Sequence, residues 1–102
     1  MSDFYILDDH TPVRVGDVQT WCRWFEAHDQ ERVVAKSDLS DEVHVSTMFL
    51  GIDHQFVTVT SRAILFETMI FGGEHDGFQE RYATWDEAQA GHRRAVELVV
   101  RD

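Results

Sequence analysis

Among 102 residues the chain has one cysteine, Cys22, and one proline, Pro12. A single thiol excludes an intramolecular disulfide framework and fits a reducing compartment. So little proline excludes a proline-rich linker or a collagen-like chain. Basic side chains are also scarce: 9 Lys and Arg stand against 19 Asp and Glu, a formal charge of −10 at pH 7. Direct binding of nucleic acid is therefore not expected, because neutralising phosphates takes clustered Lys and Arg. No apolar run is long enough to cross a bilayer, and the opening MSDFYILDDH has no basic stretch ahead of an apolar one. Neither a membrane partner nor export is expected, which leaves the cytoplasm. The signatures of common catalytic folds are missing too: no HExxH, no G-x-S-x-G, no P-loop and no dinucleotide fingerprint.

What is present is the material of a globular core. Hydrophobic residues make up 43% of the chain and aromatics 12%. A chain of this length buries about two-thirds of its unfolded surface, enough for one domain over residues 1–102 without metal or disulfide staples. Phe4 to Leu7 and Val13 to Val15 read as a hairpin around Asp8-Asp9-His10-Thr11-Pro12, with Pro12 placing it at a sheet edge. Asp17 caps a helix running to about His28, with Val18, Trp21, Cys22 and Phe25 on the inner stripe and Trp24 and His28 flanking it. Arg32 to Lys36 and Val43 to Leu50 read as strands, the second central because both of its faces carry apolar groups. Phe56 to Thr60 has strand propensity, Ala63 to Phe71 is the strongest strand, and a polar loop runs from Gly72-Gly73 to Tyr82. Thr84 and Glu87 form a capping box for a second helix to about Val100, with small Ala88, Gly91 and Ala95 on its inner face. The predicted class is α+β: an antiparallel β-sheet of about four to six strands with two helices packed on one face, in a single domain.

Several segments together carry a resemblance. Ser46-Thr47-Met48-Phe49-Leu50-Gly51-Ile52-Asp53-His54, Leu65 to Gly73, Arg81-Tyr82-Ala83-Thr84-Trp85, Glu87-Ala88 and Gly91-His92 resemble a family of small acidic proteins of phages, prophages and bacterial genomes. Tyr5-Ile6-Leu7-Asp8 and the Trp21 to Glu26 helix extend that likeness over nearly the whole chain. Phe56 to Arg62 departs from it, standing where the family carries a Gly/Pro-rich loop. The resemblance implies a phage setting and no particular activity.

Asp53 and His54, with Glu67 on a neighbouring strand, are candidates for a small-ligand pocket or a carboxylate–imidazole metal site. No spacing here matches a metal template, so neither a metal nor another cofactor is expected. Glu67 interrupts an apolar strand, which makes it either a general base or half of an ion pair with Arg32, Arg62 or Arg81. The second reading is the expectation. His92 reads as a neutral core-edge histidine bonded to backbone, and Cys22 as a small buried hydrophobe. The acidic residues gather around Asp8-Asp9, around Asp38, Asp41 and Glu42, and from Glu74 to Glu87. This leads to a non-enzymatic binding protein whose acidic and aromatic surface, including Trp24, meets a basic partner. That partner would be a host or phage protein, such as one that binds nucleic acid. Trp24 and His28 also leave room for a homo-oligomer.

Overall fold

The computed structural model describes residues 4–53 and 63–101. Strands β1 (Phe4–Asp8) and β2 (Thr11–Val15) form an antiparallel hairpin closed by Asp9 and His10. Asp9 has φ 57°, a left-handed conformation that aspartate tolerates better than most residues and that a two-residue turn demands. The hairpin is a sheet by itself, so Pro12 interrupts no central ladder. Helix α1 (Val18–Ala27) follows, with Asp17 Oδ1 accepting from the Thr20 amide at 2.8 Å as its cap.

The second sheet is antiparallel in the order β3 (Val33–Asp38), β4 (His44–Phe49), β5 (Phe66–Phe71), β6 (Gln79–Tyr82). Helix α2 (Trp85–Arg101) lies across its inner face. Register sets the core beneath it: Val45 faces Ile70, Thr47 faces Thr68, and Phe49 faces Phe66, all essentially inaccessible to solvent. The capping box is formed, with Thr84 Oγ1 accepting from the Glu87 amide at 3.1 Å and Glu87 Oε1 from the Thr84 amide at 3.2 Å. Ala88, Gly91, His92 and Ala95 are the buried residues of α2. The helix runs so close to the sheet that a Cβ on Gly91 would collide with the Tyr82 phenol ring.

The fold is α+β, with two helices and six antiparallel strands. In detail the strands divide between two sheets instead of joining one. The hairpin meets the end of β4 through the Tyr5 amide on the Gly51 carbonyl (2.8 Å) and a single bridge from Phe4 to Ile52. Gly51, at φ 78°, ends the extended conformation there, so no ladder continues. Helix α1 consequently rests on the hairpin and touches the larger sheet through Trp24 against Phe49.

This placement corrects the expected inner stripe of α1. Trp21, Trp24, Phe25 and His28 are half-buried, while Val18 and Cys22 are exposed. At 100° per residue the buried face is turned by about 60° from the Val18–Cys22 stripe. The wide rings find the hairpin and sheet, and the small thiol is left outside. Gln79 to Tyr82, expected as loop, is strand β6: its amides and carbonyls are taken by the edge of β5. A short, charged edge strand carries little apolar signal of its own. The Phe56–Thr60 expectation lies outside the described residues.

A candidate aromatic and acidic cleft

Six rings form one continuous series. Phe49 and Phe66, paired across β4 and β5, lie 5.3 Å apart between ring centroids. Trp24 meets Phe49 edge-on at 5.9 Å, and Trp85 meets Phe66 edge-on at 6.2 Å. A histidine stacks on each indole: His28 on Trp24 at 4.9 Å and His10 on Trp85 at 3.8 Å, the latter within 4° of parallel. Edge-to-face and offset contacts of this kind fix ring orientation beyond what burial alone does. The two tryptophans are thereby held by adjacent strands of the core, although they lie far apart in sequence.

Those four outer rings line an open cleft of about 490 Å³. Leu7 and Asp9 come from the hairpin, Gln30 and Glu31 from the turn after α1, and Val33 from β3. Two carboxylates and no Lys or Arg stand among the described lining residues. The His28 Nδ1 lies 2.7 Å from the Trp24 carbonyl; a carbonyl only accepts, so Nδ1 carries the proton. The Trp85 Nε1 is buried with no acceptor within reach.

Of the residues singled out from sequence, the cleft contains Trp24, His28 and Asp9. Asp53 Oδ1 instead accepts from the Ile64 amide at 2.9 Å, closing the two ends of the segment around it. Glu67 stands opposite Arg81 in the β5–β6 register, and Arg81 Nε donates to its Oε2 at 2.8 Å. The ion-pair reading of Glu67 is the one observed. His54 lies outside the described residues. Asp38, Asp41 and Glu42 surround the β3–β4 turn, where Asp38 Oδ1 is 2.7 Å from His44 Nδ1 and the other two are exposed. That turn is at the opposite end of β3 from Val33, about 17 Å away at the rise of a strand. Among the described residues, no three His, Cys, Asp or Glu side chains converge as metal ligands.

His92 corrects another expectation. Its ring bonds to hydroxyls, with Nε2 2.9 Å from Ser37 Oγ and Nδ1 2.8 Å from Thr47 Oγ1. The chain continues from Thr47 to Thr68 (2.5 Å), from Thr68 to Tyr82, from Tyr82 to Glu80 Oε1 (2.9 Å), and ends on Arg94 (2.8 Å). Its direction follows from the carboxylate, which when ionised can only accept. Tyr82 therefore donates to Glu80, Thr68 to Tyr82, Thr47 to Thr68, and His92 Nδ1–H to Thr47, which leaves Nε2 to accept from Ser37. Burial holds the His92 pKa below its ordinary value, keeping the ring neutral. Burial, aided by the Glu80 carboxylate, pushes the Tyr82 phenol up to about 12, and the Arg94 hydrogen bond holds Glu80 below the usual carboxylate range. With every member satisfied, this series fastens α2 to all four strands. Its groups are committed to one another, which suits alignment of the helix and not turnover.

Comparison with known family models, curated proteins and solved structures finds no match. The cleft has to be read on its own chemistry. No described helix is long and apolar enough to cross a membrane.

Sequence reasoning identified Trp24 but missed His10 and Trp85. Trp85 stands at the start of the expected second helix, and His10 in the expected hairpin turn. Only the closing of the Phe49–Phe66 pair brings their rings to one place. The available sequence signal was the excess of tryptophan and histidine beside turn carboxylates.

Proposed function

We propose that this is a non-enzymatic, cytoplasmic binding protein that engages a basic host or phage protein through its acidic and aromatic surface. The observation that carries the reading is the union, in one open cleft, of two core-anchored indoles with Asp9 and Glu31 and no described Lys or Arg. Asp8 adjoins that cleft in sequence, and Asp86 follows Trp85, so two of the acidic groups lie around it. A net charge of −10 steers a basic partner to the surface, while the rings supply contact area that charge alone does not. The likeness to small acidic phage and prophage proteins supports the setting. A nucleic-acid-binding protein is the partner class that such a face fits, since its basic groove is already built for polyanions.

Affinity capture from host and infected lysates at low and at high salt tests the reading. A basic protein retained at low salt and released at high salt is expected, because the Debye length shortens to about 3 Å at 1 M salt. With that partner, neutralising Asp9 and Glu31 should slow association more than neutralising Asp38, Asp41 and Glu42 at the distant turn. Equal, wild-type association rates in both variants would refute the reading.

A further inference from the structure

We propose that the cleft between α1, the β1–β2 turn and the start of α2 is an arginine-side-chain receptor, the point at which a basic partner inserts one guanidinium. This rests on the reading of the protein as a binder of basic partners and names the group that the partner supplies. Four observations converge on that chemistry. Both indoles line the cleft, each with a histidine already stacked on one face, and are held by edge-on contacts with Phe49 and Phe66, so the aromatic walls exist before any ligand arrives. Asp9 and Glu31 line the same cleft, and no described Lys or Arg there neutralises them. The cleft is open, with room for a side chain, and Leu7 and Val33 add apolar surface for its methylene stem.

The fourth observation is internal to the chain. At the end of α1, between Glu31 and Val33 in the chain, the Arg32 guanidinium sits 3.5 Å over the Phe25 ring centroid while donating to Asp29 Oδ1 at 2.6 Å. This molecule thus already seats one arginine between an aromatic face and a carboxylate.

The alternatives fit less well. A phosphate or other anion would meet two carboxylates and a strongly negative protein. A neutral ring would stack but leave Asp9 and Glu31 unneutralised as it excluded their water. An ammonium would satisfy the charge, yet it is a compact, strongly hydrated group. A guanidinium is planar, less strongly hydrated, stacks on indole, and presents paired donors that match carboxylate geometry.

The three tryptophans make the test specific, because Trp21 packs against Phe4 and Phe25, away from the cleft lining, and serves as an internal reference. The probes are three acetylated, amidated Gly/Ser heptapeptides with one central Arg, Lys or citrulline, titrated into the full chain while the indole N–H signals are followed by NMR. The Arg peptide should shift Trp24 and Trp85, not Trp21, with a Kd of about 1 mM, the scale of a single stacked and paired side chain. The Lys and citrulline peptides should bind at least about tenfold more weakly. Asp9→Asn with Glu31→Gln should weaken the Arg peptide at least about tenfold, whereas Asp38→Asn with Asp41→Asn should not. Asparagine tolerates the left-handed conformation at position 9, so the variant retains the turn.

No shift at about 10 mM Arg peptide, equal affinity for the Lys peptide, or unchanged binding by the Asp9/Glu31 variant overturns the proposal. The parent reading fails separately. A basic protein captured equally well by the Asp9/Glu31 variant but more weakly by the Asp38/Asp41/Glu42 variant removes the arginine receptor and leaves a basic partner; Arg-specific shifts with no salt-sensitive protein captured retain the receptor and remove that partner.

Discussion

Replacing Gly91 with alanine sets two known effects against each other, and the structure says which wins. In an exposed helix interior, Gly→Ala stabilises by about 1 kcal/mol, because glycine loses more backbone freedom on folding. Gly91 is buried at the centre of α2, and its missing Cβ is where the Tyr82 phenol lies, oxygen and ring carbons together. That ring is not free to swing away. Its hydroxyl donates to Glu80 at 2.9 Å, and Tyr82 is held opposite Phe66 by the β5–β6 register. The added methyl must therefore lift α2 or break the hydroxyl chain, and overpacking of well-packed interiors costs about 1–3 kcal/mol. With the hydroxyl oxygen and two ring carbons in the way the upper end applies, and the propensity gain leaves a net loss of about 2 kcal/mol. At this chain length that lowers Tm by about 8–16 °C in a calorimetric or circular-dichroism melt. Gly91→Leu should be worse. In a Tyr82→Leu background the penalty of Gly91→Ala should shrink, a coupling of at least about 0.5 kcal/mol between contacting residues. A raised Tm for Gly91→Ala would refute the close approach of α2 to the sheet, because propensity would then be acting alone.

Two further expectations concern single side chains. Burial depresses the His92 pKa, so the unfolded chain takes up the proton first; stability is full above the ordinary value of 6.5 and falls as pH drops through 6.5 toward the lower folded value. Glu80 loses its contribution only near and below its ordinary 4.5, so urea melts between pH 7.5 and pH 5 isolate the histidine, and His92→Gln should flatten that slope. Cys22 is exposed, so a thiol reagent should label the native protein nearly as fast as the urea-unfolded chain; strong native protection would place the thiol back in the interior.

The residues of this chain specify its local elements well. Asp17 caps α1, Thr84 and Glu87 box the start of α2, and the alternation in β4 and β5 names the buried side of each strand. Each of those signals is local: a side chain within reach of a nearby amide, or a period of two or 3.6 residues. The Glu67–Arg81 pair was legible for a related reason, since a carboxylate in an apolar strand needs a partner and few were available.

Other features depended on contacts that no local window contains. Gln79 to Tyr82 became a strand because β5 offered an unpaired edge, and Cys22 faced solvent because the hairpin took α1 by its rings. The hydroxyl chain through His92 required Ser37, Thr47, Thr68 and Tyr82 to meet from four strands. The cleft depends on distance in the same way. Trp24 and Trp85 are separated by most of the chain, and only the register that sets Phe49 against Phe66 brings both indoles beside Asp9 and Glu31. Composition determined that the surface would be acidic and the core aromatic; strand pairing, which acts between segments and not along them, decided where the two would coincide.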